Sequence, residues 1–387
     1  MQRSTLWNRP TVRTAAALVT ATLALAACGS DDGGSGGGGA GSEAATATSA
    51  EDLGGMEALI EAAQAEGVLN VIALPPDWAN YGEMLKTFSE KYGIEINSAS
   101  PDGSSQDELN AVTSQRGQDR APDVLDLGTA FARQAQAQDL LAPYRVQTWD
   151  EIPEGQKDAD GHWYNDYGGY ISIGCNATVV AECPTTFADL LEPQYAGQVA
   201  LNGNPTQAAA AFAGVWAASL ASGGSLDDIG PGIDFFAQVK AAGNFNPVEI
   251  TPATIQSGET PISIDWDYLN ASFTDTFAEQ GVEWEVHVPA DGLFGGYYSQ
   301  AISTFAPHPA AARLWQEFLY SDEGQNIWLN GGARPVRLPS MQEAGTADAD
   351  ALSALPPVEG TAEFPTQEQE TAAQQVVAER WNAEISG

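Results

Sequence analysis

The sequence predicts an α/β protein of two lobes, each built on a mainly parallel sheet flanked by helices. Helical and strand patterns alternate from Met56 onward, as in the helical pattern at 56–63 and the apolar run at 68–74. The chain has 387 residues, 43% of them hydrophobic, and the part beyond residue 55 is longer than one hydrophobic core usually holds. A second series of elements begins near Gly169, which predicts the second lobe.

The first 27 residues have the pattern of a secretion signal. Arginines precede an Ala/Leu-rich run that is too short to span a bilayer. The run ends in Leu25-Ala26-Ala27-Cys28, which resembles the lipobox where bacterial signal peptides are cut and the cysteine is diacylated. The alternative is an ordinary signal peptide followed by a chance cysteine. We expect residues 1–27 to be removed and Cys28 to anchor the protein through its acyl chains.

The composition divides the remaining chain. Residues 28–55 are rich in Gly, Ser, Ala and Thr, which predicts a flexible tether. The order of the predicted elements then assigns 56–171 and 297–345 to the first lobe and 172–296 to the second. It does not assign 346–387 to either lobe.

Each lobe has its own predicted elements. In the first lobe, Gly67 and Gly93 supply helix stops. The predicted first-lobe elements are a helix from 56, strands at 68–74, 94–97 and 122–128, and helices at 81–92, 105–116 and 131–141. The predicted later elements are strands at 198–201, 261–265, 286–289 and 300–303, and helices at 207–220, 229–242 and 308–320.

The net charge is −37, which makes nucleic acid and anionic lipid surfaces poor partners. Contact with the membrane is therefore expected through the lipid anchor only, and the charge is a weak indication of a cationic ligand.

The expected export places Cys175 and Cys183 in an oxidising compartment, where a disulfide between them is permitted. The alternative is that both are reduced, buried thiols. The histidines lack ligand spacing to either cysteine, so no metal site is predicted. We expect no cofactor.

Polar and aromatic residues follow the predicted strands, where open α/β sheets bind their ligands. Asp265-Trp266-Asp267 follows an apolar strand, and a ring with carboxylates can hold an ammonium group by cation–π attraction and charge-assisted hydrogen bonds. Asp77 and Trp78 follow the first strand and offer the same pair of groups. The alternative is that Trp266 packs in the core and the aspartates cap helices.

Hydroxyl groups stand at two predicted helix starts. Ser105 and Thr129 suit either a helix cap or an anionic group of the ligand, and capping is the favoured interpretation. No Ser/His/Asp constellation, phosphate loop or metal motif is present, so no catalytic residue is predicted. The alternative from a different functional class is a lipid-anchored hydrolase.

Several segments in order are similar to the extracellular solute-binding proteins of ABC importers, in the cluster that binds polyamines, ferric ion and phosphonates. The resemblance covers nearly all of the mature chain. It is carried by four strings, at 121–128 (APDVLDLG), 184–191 (PTTFADLL), 258–262 (GETPI) and 309–325 (PAAARLWQEFLYSDEGQ). The resemblance implies a periplasmic-binding-protein type II fold, hinged by crossing strands, that closes on one ligand and docks on a membrane permease.

The resemblance also bears on the ligand. Iron-binding members often use adjacent tyrosines on the second lobe, and Tyr297-Tyr298 invites that comparison. The pair leads the returning strand, however, which departs from the family's order and disfavours iron. We expect a monomer at the extracytoplasmic face of the cell membrane that binds an organic amine, with an aminoalkylphosphonate or ferric ion as alternatives.

Overall fold

The computed structural model describes residues 40–360, 362 and 364–386, all within one compact unit at 38–387. The predicted signal at 1–27, Cys28 and the beginning of the predicted tether lie outside the described residues. In the described chain, no helix has the length and apolar character needed to cross a membrane.

Helices and strands alternate along the chain. The strands are β1 (Val68–Ile72), β2 (Glu95–Ala99), β3 (Val124–Gly128), β4 (Leu141–Ala142), β5 (Tyr164–Asn176), β6 (Val199–Leu201), β7 (Phe245–Asn246), β8 (Ile262–Trp266), β9 (Trp284–His287), β10 (Gly295–Ser303) and β11 (Arg334–Pro335). The α-helices are α1 (Ala40–Thr46), α2 (Met56–Glu66), α3 (Tyr81–Tyr92), α4 (Ser105–Ser114), α5 (Thr129–Ala137), α6 (Ala209–Ala221), α7 (Gly230–Ala241), α8 (Pro252–Ser257), α9 (Asp267–Glu279), α10 (Pro309–Leu319), α11 (Asp322–Asn330), α12 (Leu338–Ala344), α13 (Ala349–Ala354) and α14 (Gln367–Trp381).

The strands form a small sheet and a large one. Strands β1 and β2 pair in parallel, and the large sheet has the order β3-β10-β5-β8-β6-β7. We use "first lobe" for the elements around β1–β4 and "second lobe" for those around β6–β9. Pairs of β6 with β7 and β8 are parallel, whereas the pairs of β5 and β10 are antiparallel. The large sheet therefore contains more antiparallel pairs than predicted. The reason is that β5 and β10 cross between the two lobes and pair with their neighbours in antiparallel orientation.

Strand β5 passes from one lobe to the other. Its residues up to Tyr170 pair with β10, and its residues from Ile171 pair with β8. Two glycines allow neighbouring elements to approach this strand closely. A Cβ atom on Gly168 would lie 2.3 Å from the carbonyl oxygen of Gly296, and one on Gly169 would lie 2.3 Å from Asp267 Oδ1.

The structure corrects the predicted tether for residues 40–55. This segment contains α1, and Ala44, Ala47 and Ala50 are buried. Arg313 of α10 explains the docking, because its Nε donates to the Ala47 carbonyl at 2.8 Å and its Nη2 donates to the Ala45 carbonyl at 3.1 Å. Composition suggested flexibility, but alanine also favours helix and its small side chain permits close packing.

A disulfide joins Cys175 and Cys183, with the two Cα atoms 5.9 Å apart. The predicted bond is therefore confirmed. Cys175 is at the second-lobe end of β5, so the disulfide ties the end of the crossing strand to the loop that follows it.

We predict that Arg313→Met lowers the free energy of unfolding by about 1–3 kcal/mol, because buried carbonyl groups lose their donor. Urea denaturation of the protein measures the change. Arg120→Met, at an exposed position, is the matched control. Equal stability of the two variants would contradict the structural role of Arg313.

Candidate ligand-binding cleft

A cavity of about 1060 Å³ lies between the lobes, beyond the carboxyl ends of β1, β2, β3, β6 and β8. This volume accommodates a small organic molecule. The predicted residues Asp77, Trp78, Ser105 and Asp265 all line the cavity. The structure thus brings these four together from separate parts of the sequence.

Asp126 lines the first-lobe side of the cavity and was missed by sequence reasoning as a binding residue. Its Oδ2 accepts hydrogen bonds from the hydroxyl groups of Tyr81 and Tyr167, both at 2.9 Å. Its Oδ1 is buried and has no hydrogen-bond partner in the described part of the chain. Burial raises the pKa of Asp126 to about 7. The signal available in the sequence was a carboxylate inside the apolar strand β3.

Two more acids are buried beside Asp126. The backbone N–H of Asp126 donates to Glu108 Oε2 at 2.9 Å. Gln300 Nε2 donates to Asp166 Oδ2 at 3.0 Å. Burial raises the pKa of both Glu108 and Asp166 well above the usual range, and the nearby Asp126 charge adds to each increase. The increase favours the protonated, uncharged form of each of these carboxyl groups.

Asp265 provides the corresponding carboxylate on the second lobe. It is 3% exposed, and it accepts hydrogen bonds from Asn202 Nδ2 at 2.7 Å and from the backbone N–H of Trp266 at 2.8 Å. Burial raises the pKa of Asp265 to about 7. Asp126 and Asp265 are thus buried carboxylates that line the same cavity from opposite lobes.

Aromatic rings complete this part of the cleft. Trp78 is half-buried, its Nε1 donates to the Tyr167 hydroxyl at 2.7 Å, and its ring centroid is 5.6 Å from that of Tyr298. Asp77 is exposed at the rim. The N-cap position of α3 is occupied by Asn80, so the alternative that Asp77 caps this helix does not hold.

The remaining parts of the Asp-Trp-Asp run lie elsewhere. Trp266 lines a separate cavity of about 480 Å³, because successive residues of a strand face opposite sides of the sheet. Asp267 is fully buried, with its Oδ2 2.6 Å from Arg334 Nη1 and its Oδ1 accepting from the Tyr170 N–H at 2.9 Å. The prediction that Trp266 and Asp267 contact the same ligand as Asp265 therefore does not match this geometry.

The hydroxyl groups of Ser105 and Thr129 form hydrogen bonds within the protein. Ser105 Oγ accepts from the Gly128 N–H at 3.2 Å, while the neighbouring Ser104 caps α4. Thr129 Oγ1 donates to the Tyr297 carbonyl at 3.0 Å and lines the smaller cavity rather than the large one. Its hydroxyl therefore joins α5 to the crossing strand β10.

The adjacent tyrosines of β10 also face different cavities. Tyr297 lines the smaller cavity, whereas Tyr298 lines the large cleft. In this structure the two phenol groups therefore do not converge on one site.

Acidic side chains dominate the lining of the cleft. The carboxylates that line it are Asp77, Asp102, Asp107, Glu108, Asp126, Glu249 and Asp265. Lys240 is the single Lys or Arg side chain of the described residues in this lining, and its Nζ donates to the Ile385 carbonyl at 2.7 Å. This imbalance favours a positively charged ligand.

One group of possible metal ligands lies away from the cleft. Ligand atoms of Asp158, Asp160 and His162 lie within 4.8 Å of one another, and His162 Nδ1 is 2.9 Å from Asp158 Oδ2. The group is formed by one loop before β5, and none of its three residues lines the cavity that holds Asp126 and Asp265.

The fold and cleft define a two-lobed solute-binding protein of the periplasmic-binding-protein type II class. Residues 119–358 match the family described as bacterial extracellular solute-binding proteins, which is more than half of the chain. The chain belongs to this family and is a binding protein rather than an enzyme. Comparison with curated protein sequences gives no match.

Solved structures with the same fold bind different solutes. The periplasmic binding protein AfuA of Actinobacillus pleuropneumoniae, with fructose-6-phosphate bound, has a TM-score of 0.65 at 20% identity, covering 82% of this chain and 99% of its own. Iron-bound HitA of Pseudomonas aeruginosa has a TM-score of 0.57 at 19% identity, covering 80% and 99%. A putative spermidine/putrescine ABC transporter protein of Listeria monocytogenes has a TM-score of 0.57 at 13% identity, covering 81% and 98%.

We predict that the ligand-free protein loses stability as the pH rises from about 4 to above 7. The folded pKa of Asp126 and Asp265 is about 7, against an ordinary value of 3.8, so the folded protein holds more protons than the unfolded chain in this window. Asp265→Asn should reduce the loss by about 1–3 kcal/mol. Urea denaturation at pH 5 and pH 8 tests this, and an unchanged pH dependence in the variant would contradict it.

Proposed function

We propose that this protein captures a small organic amine in the interlobe cleft and delivers it to the permease of an ABC importer. The observation that carries the proposal is the pair of buried carboxylates, Asp126 and Asp265, which line one cavity from opposite lobes. A cation that enters the cleft can interact with both, so that its binding favours the closed arrangement of the lobes.

The chemistry of the lining supports an ammonium group. Asp126 Oδ1 is a buried acceptor without a donor in the described chain, and –NH₃⁺ offers three donors. Burial raises the pKa of Asp126 and Asp265 to about 7, so each carboxyl group is only partly ionised at neutral pH in the empty protein. A bound cation stabilises the ionised form of each group. The rings of Trp78 and Tyr298 add flat faces suited to cation–π attraction.

The alternatives fit this cleft less well. A phosphonate or phosphate ester is an anion, and the carboxylates of the lining outnumber its one Lys or Arg among the described residues, Lys240, so the charge of the cleft opposes it. Ferric ion bound by adjacent tyrosines conflicts with the opposite directions of Tyr297 and Tyr298. The likeness to a putative spermidine/putrescine transporter protein supports the amine and the ABC permease.

We also propose that the protein is exported and anchored by acyl chains on Cys28 at the extracytoplasmic face of the membrane. The lipobox-like string Leu25-Ala26-Ala27-Cys28 supports this proposal, and family membership agrees with export. Delivery to a permease is efficient when both proteins are held at the same surface, because the tether raises the local concentration. We propose that the protein acts as a monomer.

We predict that Asp126→Asn and Asp265→Asn each weaken the binding of spermidine or putrescine tenfold to a hundredfold, or about 1.5–3 kcal/mol. Each substitution removes a charge and keeps the side-chain size. Titration calorimetry of the mature chain measures the affinities, with exposed Asp150→Asn as the control outside the cleft. If both cleft variants bind as the control does, the amine site is wrong. Tight binding of phosphonates alone would reject the amine and retain the cleft.

We predict that Cys28→Ala releases the protein from the membrane fraction, because the acceptor of the lipid is lost. Cell fractionation with detection of the protein measures the change, and Ser35→Ala, further along the same Gly/Ser-rich stretch, is the control. A variant that stays in the membrane fraction as fully as the wild type would contradict lipid anchoring at Cys28.

A further inference from the structure

Helix α14, near the end of the chain, contacts both lobes. Glu370, close to its beginning, faces α5 of the first lobe, whereas Arg380 and Trp381, at its end, face α7 of the second lobe. At a rise of 1.5 Å per residue, the eleven steps from Glu370 to Trp381 span about 16 Å. The helix is therefore long enough to reach from one lobe to the other.

Several contacts fix the end of α14 to the second lobe. Arg380 Nη2 lies 2.5 Å from Asp234 Oδ1. The ring of Trp381 packs on Phe236 with centroids 5.4 Å apart. Lys240 of α7 donates to a backbone carbonyl just beyond the helix at 2.7 Å. These contacts combine an ion pair, ring packing and a backbone hydrogen bond, so the end of α14 is attached to the second lobe and moves with it.

One ion pair joins α14 to the first lobe. Arg133 Nη1 of α5 bonds Glu370 Oε2, and the two side chains are only 14% and 11% exposed. The Arg133 guanidinium also lies 5.1 Å from the ring centroid of Trp163, which holds it on the first lobe. In the described part of the chain, α14 makes no other hydrogen bond to first-lobe elements. Separating this pair leaves two charges without partners in a partly buried place.

We propose that the Arg133–Glu370 ion pair is a latch that holds the lobes together and has to break when the cleft opens. The far end of the same segment lines the cleft through Trp381 and Ile385, so α14 connects the latch to the wall of the ligand site. This inference rests on the proposed function, because a carrier has to open its cleft to admit and release its solute.

The test compares Glu370→Gln, the charge-swapped double variant Arg133→Glu/Glu370→Arg, and the control Asp234→Asn. The control removes an ion pair of the same helix whose Asp234 partner is on the second lobe and 61% exposed. Small-angle X-ray scattering of the ligand-free mature chain reports the opening of the lobes. Stopped-flow measurement with spermidine reports how fast the closed complex opens.

We expect Glu370→Gln to increase the radius of gyration and to speed spermidine dissociation about tenfold or more, since truncating one partner of a buried charge pair acts on dissociation. The double variant should return both quantities toward the wild-type values, and the control should leave them unchanged. Circular dichroism confirms that each variant is folded.

Equal scattering and dissociation for Glu370→Gln and Asp234→Asn would overturn the latch. A double variant no closer to the wild type than Glu370→Gln would also count against it. If the wild type itself does not bind spermidine, the amine proposal fails. The scattering comparison needs no ligand and still decides the latch.

Discussion

Strand β5 is the constraint on which the rest of the structure depends, because it belongs to the sheets of both lobes. Its first half pairs with β10 and its second half with β8, and the change occurs between Tyr170 and Ile171. Two lobes that share one continuous strand keep their strand ends on the same side, so the polar loops of each lobe meet across one cleft. The disulfide at Cys175 then fastens the second-lobe end of this strand.

The same strand explains how the cleft holds buried acids. Tyr167 of β5 donates to Asp126 of β3, and Tyr81 of α3 donates to the same oxygen. These hydrogen bonds compensate part of the cost of burying a carboxylate, and burial still raises its pKa to about 7. In the proposed function, a cationic ligand stabilises the ionised forms of Asp126 and Asp265, so stability and binding are linked through these two side chains.

The sequence predicted much of the fold, because regular elements depend on local patterns. Helix α3 has the predicted bounds, and β3 and β8 lie within about two residues of theirs. The site was predicted only in part. Asp77, Trp78 and Asp265, singled out by their places after predicted strands, line the cavity, whereas Asp126 stands near the carboxyl end of a predicted strand and was not singled out. Helix α14 was also missed, since its apolar residues are few and its partners are distant in sequence.

Local sequence determined most of the helices and strands, and its ordered strings indicated the family of solute-binding proteins to which the chain belongs. Only the tertiary structure decided which side of each strand meets the cleft, so that Asp265 lines it while Trp266 lines another cavity and Asp267 pairs with Arg334. It also decided that residues 40–55 dock on Arg313 and that α14 bridges the lobes. The physical reason is that these outcomes depend on partners far apart in the chain, whose burial and charge are set by packing rather than by neighbouring residues.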